Sequence, residues 1–176
     1  TDITTNERGA IVVNDTCESS VPGVYAVGDV NGGPQFTYIS LDDFRIVFGA
    51  LTGNGQYTLK DRKNIPYTTF LTPPLARVGL TEEDAINRGY TVKTKEMLVA
   101  TMPRAHVNDY LKGAFKIVVD AESNLILGAT LYSQGAEELI NLIKMAMDNN
   151  IPYTYFKNQI FTHPTMAENL NDLCNF

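Results

Sequence analysis

Four consecutive apolar residues, Ala10-Ile11-Val12-Val13, set the first hydrophobic pattern of the chain, and Val24-Tyr25-Ala26-Val27 repeats it after a Pro22-Gly23 turn. Uninterrupted apolar runs of this length predict strands covered on both faces. The loop Asn31-Gly32-Gly33-Pro34 breaks the pattern, and the period then changes. Phe44, Val47, Phe48 and Leu51 recur at helical spacing until Gly53 and Gly55 stop the run. Two strands and a helix make half of an α/β unit, because a doubly covered sheet needs more neighbours than this stretch offers.

A polar, charged stretch from Tyr57 to Asn64 reads as a linker, and the expected domains are residues 1–60 and 61–176. Beyond it the pattern predicts strands at Tyr67–Leu71 and Arg77–Leu80. A short helix follows the cap Thr81, with Asp84 as its third residue and Gly89 as its stop. Strands at Thr91–Ala100, Ala114–Asp120 and Leu125–Tyr132 come next, the last two joined by the turn Ala121-Glu122-Ser123-Asn124. They imply a hairpin within an antiparallel sheet. A long helix from Ala136 to Asp148 presents Ala136, Leu139, Ile140, Ile143, Ala146 and Met147 as one apolar stripe, which reads as core or dimer interface. Pro164 fits the first position of a last helix running through Met166, Leu170 and Leu173.

Composition refines this picture. Hydrophobic residues make up 44% and charged residues 19% of the 176, as expected of a chain that folds around a core. The net charge of −6 argues against nucleic acid and anionic membrane surfaces as partners, since both reward a basic face. No apolar run approaches the roughly 20 residues that span a bilayer, and Thr1-Asp2-Ile3-Thr4-Thr5 has no signal-peptide character, so a cytoplasmic location is expected. Cys17 and Cys174 lack CxxC or metal-ligand spacing; they read as free thiols, and no metal site is expected.

Two histidines are present. His106 reads as a surface residue. His163 stands in Thr162-His163-Pro164-Thr165-Met166-Ala167-Glu168, where Pro164 favours an extended backbone at His163. If Glu168 reaches the imidazole, it fixes the tautomer and leaves the other nitrogen to move protons. Thr165-x-x-Glu168 also satisfies a helix capping box, in which Glu168 would bond only a backbone N–H. The residues themselves leave both readings open.

The His-Pro-Thr-x-x-Glu segment near the chain's end, after an apolar helix, resembles the C-terminal signature of the flavoprotein disulfide reductases. That family includes glutathione reductase, dihydrolipoamide dehydrogenase and mercuric reductase. Thr16 to Asp29, ending in Val24-Tyr25-Ala26-Val27-Gly28-Asp29, resembles the family's second flavin motif, and Gly33-Pro34-Gln35-Phe36-Thr37 falls where relatives bring main chain to the flavin ring. The stretch from Leu71-Thr72-Pro73-Pro74 to Arg77-Val78-Gly79-Leu80-Thr81 resembles the start of the family's dimerisation domain. Pro103-Arg104-Ala105, Gly113 to Val119 and Ile126-Leu127-Gly128-Ala129 continue it in order. Asp29-Val30-Asn31-Gly32-Gly33 and Tyr38-Ile39-Ser40-Leu41-Asp42-Asp43 lean toward the branch of reactive-chlorine-resistance flavoproteins and mercuric-reductase-like enzymes.

The resemblance implies an α+β fold, an antiparallel-sheet dimerisation domain preceded by a partial α/β flavin segment. It implies a parent enzyme that passes a hydride from NADH or NADPH to FAD and electrons onward to a small-molecule disulfide, metal ion or oxidant. His163 would be its acid and base, and Glu168 would orient it. Gly28, Asp29, Gln35, Phe36, Thr37 and Pro164 would contact the flavin. The parent would be a homodimer in which His163 of one subunit serves the flavin and disulfide of the other. The chain itself has no GxGxxG segment and no CxxxxC pair, so it is expected to be a fragment that is inactive alone. The competing expectation is a self-association domain without chemistry.

Overall fold

The computed structural model describes residues 2–176 and divides into two compact units, with the division between Lys63 and Asn64. Each is described by itself.

In the first unit the two expected strands do not form ladders. Isolated antiparallel bridges join Thr5 to Ile11, Val13 to Ser19 and Glu18 to Tyr25. Val12, Val24 and Val27 stand exposed. A strand buried on both faces needs paired neighbours and cover, and no described residue of this unit supplies them. Val27 leads instead into a single 3-10 turn, Gly28–Asn31, so Asp29 lies within a turn rather than at a strand end. Helix α1, Thr37–Thr52, forms as predicted and ends at Gly53 in the left-handed region. Phe44, Phe48 and Leu51 are exposed, whereas Ile39, Asp43 and Ile46 are buried. The polar stretch before residue 64 is also anchored rather than free. It holds a 3-10 turn, Leu59–Asp61, closed by a Thr58–Asp61 capping box, and Arg62 is ion-paired to Asp42 and Asp43.

The second unit is built on a five-stranded antiparallel sheet of β1 (Tyr67–Thr69), β2 (Leu75–Gly79), β3 (Val92–Leu98), β4 (Ala114–Asp120) and β5 (Ile126–Tyr132), in the order β1-β2-β5-β4-β3. The centre is the β4–β5 hairpin, whose register sets Phe115 opposite Leu131 and Ile117 opposite Ala129. All four are buried on the core side. At the hairpin's end Asp120 accepts hydrogen bonds from the Ser123 hydroxyl at 2.5 Å and from the Ser123 and Glu122 amides. Those donors, the Ser123 hydroxyl foremost, hold its carboxyl below the usual carboxylate range.

Between β2 and β3, helix α2 (Glu82–Asn87) starts on the expected box: the Asp84 amide donates to Thr81 Oγ1 at 3.0 Å and the Thr81 amide to Asp84 Oδ2 at 3.3 Å. Helix α3, Pro103–Val107, with Pro103 in its first turn, was not anticipated. Helix α4, Ala136–Asp148, covers β2 and β5 with the expected stripe: Ala136, Leu139, Ile140, Ile143 and Ala146 are buried and Met147 packs beside them. Helix α5, Tyr153–Asn158, also unanticipated, packs on α6, Asn169–Leu173. Helix α6 is shorter than expected. Pro164 precedes it by five residues and follows His163 through a cis peptide bond.

Tight backbone approach fixes two glycines of the sheet. Gly79 adopts φ +72°, and a Cβ there would lie 2.2 Å from the Leu127 carbonyl oxygen; at Gly128 a Cβ would lie 2.1 Å from that of Leu80. Gly79→Ala is therefore expected to lower unfolding free energy by about 2 kcal/mol or more, from combined dihedral strain and clash. Urea denaturation checks this; a loss within experimental error would remove the argument.

Candidate active site

His163 lies in the loop between α5 and α6. Its Nδ1 is 2.8 Å from Glu168 Oε2, and its side chain is 68% exposed. Glu168, 19% exposed, uses its other oxygen differently: Oε1 accepts the Thr165 amide at 3.0 Å. The Glu168 amide in turn donates to Thr165 Oγ1 at 3.2 Å, and the Thr165 hydroxyl donates to the Thr162 carbonyl at 2.8 Å. Both readings of this motif are thus realised together. The capping-box bonds exist, although Glu168 immediately precedes the helix instead of lying one turn inside it, and the second oxygen is left for the imidazole. Since a carboxylate only accepts, its Nδ1 partner carries the hydrogen, and no protein group bonds Nε2 among the described residues.

The loop is pinned from behind. Asn171 Nδ2 donates to the carbonyls of Phe156 at 2.6 Å and Gln159 at 2.9 Å, closing the end of α5. Lys95 of β3 donates to the carbonyls of Asp172 and Asn175 at the other end of α6. A cation there offsets the negative end of the helix. Leu170, Leu173 and Cys174 are fully buried beneath. Burial pushes the Cys174 thiol up to about 12 and the Cys17 thiol to about 11, so both are poor nucleophiles. His106 is exposed on α3 and bonds the Ala100 carbonyl through Nε2 at 2.8 Å.

Of the flavin-contacting residues expected in the first unit, Asp29 and Gln35 line a cleft of about 560 Å³ together with Asn6, Glu7, Arg8 and Val30, whereas Gly28, Phe36 and Thr37 are not among its lining residues. The Asp29 carboxylate is exposed there with no protein partner among the described residues. Gly28 is buried at φ +72°, where a Cβ would lie 2.6 Å from Ser40 Oγ. Its glycine is thus required by the packing against α1. Phe36 precedes α1, its ring stacked on Tyr38 at 5.1 Å, and Thr37 is the first residue of the helix. An exposed carboxylate on an open cleft suits a hydroxyl-bearing ligand, so Asp29, with Gln35 beside it on the cleft wall, fits the ribityl part of a flavin.

Three residues escaped the sequence reading: Asn31, Asp43 and Arg62. Asp43 is completely buried and bonds the Gly28 amide, Asn31 Nδ2 and Arg62. Helical periodicity offers no sign of this, because a charged residue is read as solvent-facing by default.

Hydrogen bonding from His163, foremost, and then from the Thr165 amide holds the Glu168 carboxyl below its usual 4.5. A lowered folded value contributes stability that is present above the ordinary carboxylate value and lost as pH falls through the folded one. In carboxyl-observed NMR titration His163→Ala is expected to raise the Glu168 midpoint, while the Thr165 bond keeps part of the lowering. An unmoved midpoint would exclude the His163 contact.

Comparison with known proteins places this geometry. Residues 65–174 match the family model described as pyridine nucleotide-disulphide oxidoreductase, dimerisation domain, and residues 1–43 match the pyridine nucleotide-disulphide oxidoreductase model. The probable pyridine nucleotide-disulfide oxidoreductase RclA of Escherichia coli K12 is 49% identical over 171 residues, 97% of this chain and 39% of that protein. Mercuric reductase of Staphylococcus aureus is 33% identical over 168 residues, 96% of this chain and 30% of that protein. The solved structure of the HOCl-induced flavoprotein disulfide reductase RclA from Escherichia coli superposes with a TM-score of 0.94 at 48% identity, covering 98% of this chain and 40% of that one. The chain therefore spans well under half the length of these relatives. It belongs to the pyridine nucleotide-disulphide oxidoreductase family and carries that family's dimerisation domain.

Proposed function

We propose that the complete protein is an FAD-dependent, NAD(P)H-linked oxidoreductase acting on a disulfide or metal ion, and that residues 1–176 supply its acid/base pair and dimer contact. One observation carries this: an exposed imidazole held through Nδ1 by a carboxylate that a backbone amide holds in turn. Bound FAD would supply the two-electron relay between nicotinamide and acceptor.

The chain's own part is proton handling. With Nδ1–H directed at Glu168, Nε2 is the basic position and faces solvent in the isolated chain. It would take a proton from an attacking thiol and return it to a departing thiolate, and as imidazolium it would stabilise a neighbouring thiolate. Glu168 would orient the ring for that role by holding Nδ1 from the opposite side. Asp29 would accept a ribityl hydroxyl, with Gln35, Phe36 and Thr37 at the start of α1 and Pro164 beside His163 completing the flavin contacts. Service of one subunit's His163 to the other's reaction centre would make the homodimer the active unit.

The rival reading, a self-association domain without chemistry, is favoured by the Thr165–Glu168 capping bonds. Those bonds leave the second Glu168 oxygen unexplained, and the His163 contact uses it. In the complete protein His163→Ala is expected to slow disulfide or metal-ion reduction about 100-fold or more, the usual worth of a positioned acid/base group, with flavin content unchanged. Steady-state turnover equal to wild type would leave only the rival. Residues 1–176 expressed alone are expected to oxidise no NADPH.

A further inference from the structure

We infer that Asp43 is a positioning residue for the flavin-contacting turn, an inference that rests on the reading of Asp29 given above. The turn Gly28–Asn31 carries Asp29, and a single oxygen of Asp43 grips it at both ends. Oδ2 accepts the Gly28 amide at 2.8 Å and Asn31 Nδ2 at 2.9 Å. Oδ1 accepts Arg62 Nη2 at 2.5 Å, and Arg62 Nε donates to Asp42 at 2.8 Å. Asn31 extends the grip, since its Oδ1 accepts the Gly33 amide at 3.0 Å.

The position of Asp43 argues for a purpose beyond packing. It shares the buried face of α1 with Ile39 and Ile46. An apolar residue would fill that face as well and would avoid the cost of burying a charge. It would also leave the Gly28 amide without its acceptor and Asn31 Nδ2 with only the longer bond to the Ala26 carbonyl, at 3.3 Å. The carboxylate therefore exchanges a desolvation cost, offset by the 10%-exposed Arg62, for a turn whose two ends cannot drift apart. Among the described residues, none forms a side-chain bond that would hold Asp29. Its direction toward the cleft is inherited from that turn.

The test uses the complete protein. Asp43→Asn preserves shape but sets an NH2 group against either Arg62 or the turn. Asn31→Ala removes one bond to Asp43 and leaves the ion pair intact, so it serves if Asp43→Asn does not fold. Flavin affinity, read by fluorescence on titrating apoprotein with FAD, is expected to fall about tenfold or more in Asp43→Asn, the equivalent of one charged hydrogen bond. A smaller fall is expected in Asn31→Ala. In the apoproteins, amide hydrogen exchange at residues 28–33 should accelerate while exchange in β4 and β5 stays as in wild type. In an Asp29→Ala background the further effect of Asp43→Asn on affinity should largely vanish. Wild-type affinity and exchange in the folded variants would overturn the inference, as would an undiminished effect in the Asp29→Ala background. If Asp29→Ala alone leaves affinity unchanged, the Asp29 reading fails, while the exchange result still decides whether Asp43 holds the turn.

Discussion

The geometry of the loop between α5 and α6 depends on one carboxylate divided between two partners. Glu168 gives one oxygen to the Thr165 backbone and the other to the His163 ring. The backbone bond fixes where the second oxygen points, and that oxygen removes much of the freedom an exposed ring would otherwise keep. Ordering an exposed side chain costs conformational entropy, and this arrangement meets the cost with a bond already required to start α6. The backing from Asn171 and Lys95 then holds the short helix, which five residues could not sustain by propensity alone.

Legibility in the sequence followed the range of the forces involved. The β4 strand, the β4–β5 turn and helix α4 could be read because each is specified locally: alternation along a strand, a turn chemistry closed by Asp120, a 13-residue apolar stripe. Helices α3 and α5 went unread because five or six residues do not complete two periods of a pattern. The extent of α6 was overestimated for a related reason. Its cap bonds close at Thr165–Glu168 and resemble those of a longer helix, but the chain enters them through the His163–Pro164 bend rather than from a preceding helical turn.

The first unit exposes the limit of hydrophobic patterning more sharply. An apolar run states that a segment needs cover; it does not state what covers it. Ala10–Val13 and Val24–Val27 therefore read as sheet strands, whereas the unit itself provides only single bridges. On α1 the apolar repeat that announces the helix does not mark its buried side. Phe44 and Phe48 lie against each other at 5.7 Å on the exposed side, and the inward face is organised around a charge. The partners of Asp43 lie 12 to 19 residues away along the chain, beyond the reach of any helical repeat. The candidate residues His163, Glu168 and Asp29 were legible only because the surrounding motifs resemble those of a family, not because spacing alone singled them out.

Asp43 and Glu168 solve the same problem in two environments. Each sets one oxygen on a backbone amide and the other on a basic side chain: Gly28 and Arg62 in the first case, Thr165 and His163 in the second. The amide half orients the carboxylate in both. The basic half decides what the arrangement can do. A guanidinium stays protonated throughout the physiological range, so the buried Asp43–Arg62 pair can act only as a fixed frame. An imidazole has a second nitrogen and here is open to solvent, so the same carboxylate geometry holds a ring still with its far nitrogen uncovered. Burial is what distinguishes the two: Asp43 is closed in with Arg62, whereas Glu168 holds a ring that stays exposed.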